Sequence, residues 1–229
     1  LHKAIRRQRQ MCIRDRLEDV QYFEDELHAA VMAAEDAGTY VMVHVYVPEA
    51  IRRAIRAGVK SIEHGQLIDE PTMKLIAEKG VWLSMQPFIG EGNNHYTNPV
   101  QQAKHELVVQ GTDRAYQLAK KYGVKLAWGT DLLFSPANAR NQNLNIEKMT
   151  RWFSNFEILK MITHDNAELL ALSGRRNPYP GKLGVIEEGA LADLIVVDGN
   201  ALEDIKVLTD PGKNMLLIMK DGKIYKNDL

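Results

Sequence analysis

The chain has 229 residues, of which 45% are hydrophobic and 26% charged, with 16 glycines and 8 prolines, the composition of a globular protein rather than a disordered or fibrous one. A formal charge of -1 and 7% aromatic content argue against a nucleic-acid surface, and no run approaches the roughly 18 apolar residues that a membrane span needs. The single cysteine, Cys12, can form neither an intrachain disulfide nor a thiolate zinc cluster, so a metal site here has to draw on His and carboxylate ligands.

Residues 1–16, LHKAIRRQRQMCIRDR, carry six basic side chains against one Asp and show no amphipathic period. The run Arg6 to Asp15 resembles, residue for residue, one translation frame of a transposase adapter used to build sequencing libraries. Residues 1–16 are therefore expected to be a non-native leader, and the rest the later part of a longer protein. A basic nucleic-acid arm and a twin-arginine export signal compete with that reading, but no apolar stretch follows Arg6-Arg7 as export would require. Localisation is left open, because any native leader would precede this chain.

From Leu17 the pattern becomes regular. Glu24 to Ala37 reads as a helix ending at Gly38, and the apolar run Tyr40 to Tyr46 as a buried strand by its β-branched content. Pro48 suits the first turn of a helix that continues through Glu49 to Ala57 and stops at Gly58. Val59 to Glu63 is a second strand, Glu70 to Lys79 a helix ended by Gly80, and Val81 to Met85 a third strand. After a polar stretch from Gly90 to Pro99 come a helix over Gln101 to Tyr122 stopped by Gly123, a fourth strand at Lys125 to Trp128, and a helix over Phe156 to Ser173. Alternating strands and helices imply an α/β fold with a parallel sheet. The pattern fits half of an eight-stranded (β/α) barrel or most of a small doubly wound sheet. Past the connector Asn177 to Gly181 the character turns to β: Leu191 to Val197 is a strand, and Leu216 to Met219, Asp221-Gly222 and Lys223 to Tyr225 form a hairpin.

Three polar residues close apolar strands. His44 lies at the carboxyl end of the first, His64 follows Ile62-Glu63, and Asp131 follows Trp128-Gly129-Thr130. In parallel α/β barrels such ends face a common mouth, where two imidazoles and a carboxylate can bind a divalent metal such as zinc and leave a position for water. Taken singly, a His at a strand end is more often a hydrogen-bonded core residue; two of them and an Asp at equivalent places are harder to dismiss. Tyr46, two residues past His44, points to the same side if the strand stays extended and could bond a substrate carbonyl or carboxylate, or simply fill the barrel mouth. Arg140 could meet a substrate carboxylate, although a solvent-facing Arg is the commoner role. His95 in the Gly90–Pro99 loop, His28, His105 and His164 read as surface or helix residues, and Trp82 and Trp128 as core. No Gly-x-Gly-x-x-Gly turn follows a strand, which weighs against a nucleotide-binding doubly wound fold.

The motifs Val43-His44-Val45-Tyr46 with Pro48-Glu49-Ala50-Ile51, Ile62-Glu63-His64-Gly65 and Gly129-Thr130-Asp131 together resemble the second half of an amidohydrolase-superfamily barrel. The tail, with Asn166-Ala167 and Leu169, Gly181-Lys182-Leu183-Gly184, Gly189 and Ala192-Asp193-Leu194, is similar to the segment joining barrel to β-sandwich in the imidazolonepropionase-related group. The resemblance implies three segments: the leader 1–16, a partial (β/α)8 barrel of TIM type over 17–176, and part of a small β-sandwich over 177–229. It implies that His44 and His64 are the metal-ligating histidines of the fifth and sixth barrel strands. Asp131 would be the acid ending the eighth strand, binding metal and shuttling a proton to the leaving amine. It further implies a hydrolase of C–N bonds in small amide, dipeptide or cyclic-amide substrates, with one or two metal ions in the parent protein, zinc foremost. The family's first-strand His-x-His pair and fourth-strand carboxylated lysine have no counterpart here. The chain is accordingly expected to be inactive alone and to expose raw sheet edges, and a non-catalytic scaffold or binding module is the rival expectation.

Overall fold

The computed structural model describes residues 17, 20–90, 98–132 and 139–229. The leader therefore lies outside the described residues, as does His95. The chain divides into two compact units, Leu1–Lys125 and Leu126–Leu229.

The first unit alternates helices and parallel strands. Helix α1 (Glu24–Asp36) opens with three acidic residues, which suit the positive end of the helix dipole. Strand β1 (Met42–Val45), helix α2 (Pro48–Arg56), strand β2 (Ser61–His64), helix α3 (Glu70–Lys79) and strand β3 (Trp82–Met85) follow. Asp69 caps α3 by accepting the Thr72 N–H, and the left-handed Gly80 ends it. Helix α4 (Pro99–Tyr122) starts two residues before the sequence pattern suggests, because the Asn98 side chain caps it and Pro99 needs no N–H partner there.

Strand β2 pairs in parallel with β1 on one side and β3 on the other, Val45 lying opposite His64 and Glu63 opposite Ser84. The Leu83 N–H donates to the Lys125 carbonyl at 2.9 Å, so β3 is bonded on its far side as well. Every residue of β3 is buried, as expected of a strand covered on both faces. The first strand departs from expectation. It is an edge strand with Met42 and His44 exposed rather than a buried one. Its β-branched residues dictate an extended backbone but say nothing about how many of its faces are covered. Arg52 of α2 bonds Asp69 at 3.2 Å and Thr72 at 2.7 Å, and Lys121 of α4 bonds Glu70 at 2.7 Å, which ties the crossover helices to one another over the core of Ile51, Ile62, Met73, Ile76, Leu83 and Tyr116.

The second unit opens with β4 (Leu126–Trp128) and short helix α5 (Leu144–Lys148). The single helix expected over Phe156 to Ser173 is interrupted. Helix α6 (Asn155–Lys160) passes through a π-helical turn (Met161–Asp165) into α7 (Asn166–Ala171). Gly184 backs onto that turn so closely that a Cβ would lie 2.6 Å from the Thr163 carbonyl oxygen. Strand β5 (Leu194–Val197), helix α8 (Pro211–Asn214), strand β6 (Met215–Lys220) and strand β7 (Lys223–Asn227) complete the unit, the three strands forming an antiparallel sheet in the order β5-β6-β7. The β6–β7 turn is Asp221-Gly222, both at positive φ, which matches the twist of the flanking strands. Among the described residues no helix is long and apolar enough to cross a membrane.

Candidate functional site

Parallel pairing brings the carboxyl ends of β1, β2 and β3 to one edge of the sheet, and polar side chains stand there: His44 and Tyr46, His64 and Gln66, and Gln86. His64 ends β2 at φ +78, a left-handed conformation that is costly for a residue with a Cβ. The turn leaving β2 is fastened by main-chain bonds from Gly65 N–H to the Val45 carbonyl (2.9 Å) and from Leu67 N–H to the Tyr46 carbonyl (3.2 Å). It is also wedged by α4. At Gly111 an added Cβ would sit 2.2 Å from the Gln66 carbonyl oxygen, so only glycine allows helix and turn to approach this closely.

Within that frame the rings of His44 and His64 lie 4.2 Å apart edge to face. Tyr46 stacks on His64 at 4.9 Å and meets His44 at 5.2 Å. His64 is only 4% exposed, with Nδ1 2.7 Å from Oε1 of Gln86, itself 5% exposed. The fully buried Gln66 donates its Nε2–H to the same oxygen at 3.4 Å. Burial pushes His64 down to about 4, the charge of His44 pushes the same way, and the Gln86 hydrogen bond opposes them. His64 is thus a neutral imidazole at pH 7. Its own nitrogen chemistry and the closeness of a second imidazole fit a borderline-soft divalent cation such as zinc.

In the second unit Asp131 is exposed and has φ +51. Among the described residues three non-glycines have positive φ: His64, Asp131 and Asp221 of the hairpin turn. Three residues before Asp131, one side chain satisfies both main-chain groups of Trp128: its N–H donates to Asn166 Oδ1 at 2.9 Å, and Asn166 Nδ2 donates to its carbonyl at 3.0 Å. Arg140 belongs to the same unit and is exposed, and residues 133–138 between it and Asp131 lie outside the described ones. Of the five residues singled out in the sequence, then, His44, Tyr46 and His64 meet in one cluster, and Asp131 and Arg140 belong to the second unit. Among the described residues, His164, Asp165 and Glu168 also offer ligand atoms within 4.8 Å of one another. They are half-buried or exposed, and the Asp165 carboxylate already binds the Lys160 ammonium and Nδ1 of His164 (2.9 Å).

Gln66 and Gln86 are not among the residues that the sequence marks as site candidates. Gln86 directly follows Met85, the same address at a strand end that marks His44 and His64, and that was the available signal. In the sequence Asn166 stands out only as part of a tail motif, because its partner Trp128 is 38 residues away.

A family model described as the amidohydrolase family matches residues 13–225. The ochratoxinase of Aspergillus niger is 32% identical over 210 residues, covering 90% of this chain and 42% of its own length. A solved prolidase complexed with N-methylphosphonate-L-proline is 35% identical with a TM-score of 0.81, covering 93% of this chain and 51% of that one. A solved Xaa-Pro dipeptidase with methionine bound in its active site is 32% identical with a TM-score of 0.75, covering 90% and 50%. The chain thus spans about half the length of the relatives it matches.

Proposed function

The chain belongs to the amidohydrolase family, and from that premise we propose that its protein hydrolyses C–N bonds in amide or peptide-like substrates, dipeptides first and cyclic amides second. The observation that carries this reading is the cluster of His44, Tyr46 and His64 at the carboxyl ends of adjacent parallel strands, with His64 buried, neutral and at positive φ. The ochratoxinase, prolidase and dipeptidase relatives support the substrate class.

In this reading His44, His64 and Asp131 would hold a divalent cation, zinc foremost, with one or two ions in the whole protein. When bound, such an ion lowers the pKa of a water toward neutrality and polarises the scissile carbonyl. Asp131 takes a proton from the attacking water on a carboxylate oxygen and returns it to the leaving nitrogen. The Tyr46 hydroxyl donates to the substrate carbonyl or carboxylate, and the Arg140 guanidinium pairs with a terminal carboxylate. Residues 17–176 form the later half of a (β/α)8 barrel and 177–229 part of a β-sandwich, similar to the imidazolonepropionase-related group. The whole protein, rather than this chain alone, turns substrate over.

Equilibrium dialysis of the 229-residue chain with zinc tests the site. Micromolar binding, lost in His64→Ala and in Asp131→Ala, is the expected result. The second test is hydrolysis of a dipeptide panel by the whole protein, with a loss of about a thousandfold or more expected in His64→Ala. A chain that binds no zinc, or a whole protein whose hydrolysis survives His64→Ala, would instead support a non-catalytic scaffold or binding module.

A further inference from the structure

Strand β3 contributes none of the ligands in the reading above, yet its carboxyl end carries Gln86, one of the most buried amides in the first unit. Two nitrogens converge on its side-chain oxygen, Nδ1 of His64 at 2.7 Å and Nε2 of Gln66 at 3.4 Å. A carbonyl oxygen only accepts, so Nδ1 of His64 must carry its proton when this bond forms. A neutral imidazole has one proton, and placing it on Nδ1 leaves the lone pair on Nε2. The same bond fixes the plane of the ring against which Tyr46 stacks at an interplanar angle of 15°.

We propose that Gln86 is a positioning residue for the metal site, its buried amide oxygen holding His64 in the Nδ1–H tautomer so that Nε2 is the nitrogen offered to a cation. Gln66 donates to the same oxygen, a bond that is lost if the Gln86 amide turns its NH2 group toward the imidazole. The turned arrangement would be the functional opposite. An amide N–H aimed at Nδ1 requires the imidazole proton on Nε2 and removes the lone pair a metal needs. The inference rests on reading His64 as a ligand.

Long-range 1H–15N correlation on the metal-free 229-residue chain with 15N-labelled histidine reads the tautomer directly, the His64 signals being identified by their loss in His64→Asn. The expected result is Nδ1–H in the wild type, a shift toward Nε2–H in Gln86→Leu, and a return to Nδ1–H in Gln86→Glu, whose carboxylate is again a pure acceptor. Zinc titration of the same samples should show a 10–100-fold loss of affinity in Gln86→Leu and recovery in Gln86→Glu. An Nε2–H tautomer in the wild type, or unchanged tautomer and affinity in Gln86→Leu, would overturn the proposal. If His64→Asn binds zinc as tightly as the wild type while the tautomer follows Gln86, the ligand reading fails and Gln86 is reduced to a structural partner of His64.

Discussion

His64 in the first unit and His164 in the second each have Nδ1 within hydrogen-bond distance of a side-chain oxygen, and each stands near other candidate ligands. Their surroundings separate them. His64 is 4% exposed, meets a neutral amide and sits in a left-handed turn wedged by a helix. The His164 side chain is 38% exposed and meets a carboxylate that Lys160 already neutralises. A cation at the second place would have to displace an ammonium in water, whereas at the first it meets an uncharged nitrogen that the fold has already dried and oriented. Ligand-type residues in proximity are common on a protein surface. What sets a site apart is the frame that removes water and competing charge from them.

That contrast can be broken at the frame. The largest expected effect is from Gly111→Ala, because the added methyl collides with the Gln66 backbone rather than with a pliable side chain. Chemical denaturation should show a loss of about 3 kcal/mol or more, and an unperturbed variant would mean that helix and turn do not clamp the His64 segment. Next comes pH. The unfolded chain protonates His64 near its ordinary 6.5 and the folded one near 4, so the contribution is complete above pH 6.5 and is lost as the pH falls toward 4. Its size is on the order of 3 kcal/mol, and His64→Asn, which tolerates positive φ, should flatten denaturation midpoints over that window. If the variant and wild type keep the same pH dependence, His64 is not held neutral by the fold.

The second unit sharpens the comparison. Asn166→Ala strands the N–H and carbonyl of Trp128 and should cost about 2 kcal/mol by thermal or chemical denaturation. Asn166→Asp, which keeps the acceptor and loses the donor, should fall between. Smallest of all is His164→Ala, expected to change stability by less than about 0.5 kcal/mol and to leave zinc affinity as it was. A drop in affinity there would move the metal site from the first unit to the second.

By itself the sequence determined the succession of elements in the first unit, down to the Glu70–Lys79 helix and its Gly80 stop, because proline and glycine signals act within a few residues. It also marked His44, Tyr46 and His64, since a strand of known period places a polar residue at its end without reference to anything distant. Tertiary structure alone decided the rest. Whether β1 is covered on both faces, why Gly111 stands in the middle of a long helix, and where the helix over 156–173 breaks all depend on segments tens of residues away. The same holds for the hydrogen bond from His64 to Gln86, 22 residues on. Local chemistry can nominate a nitrogen as a ligand, but the proton it carries is chosen by whatever the fold packs against its other side.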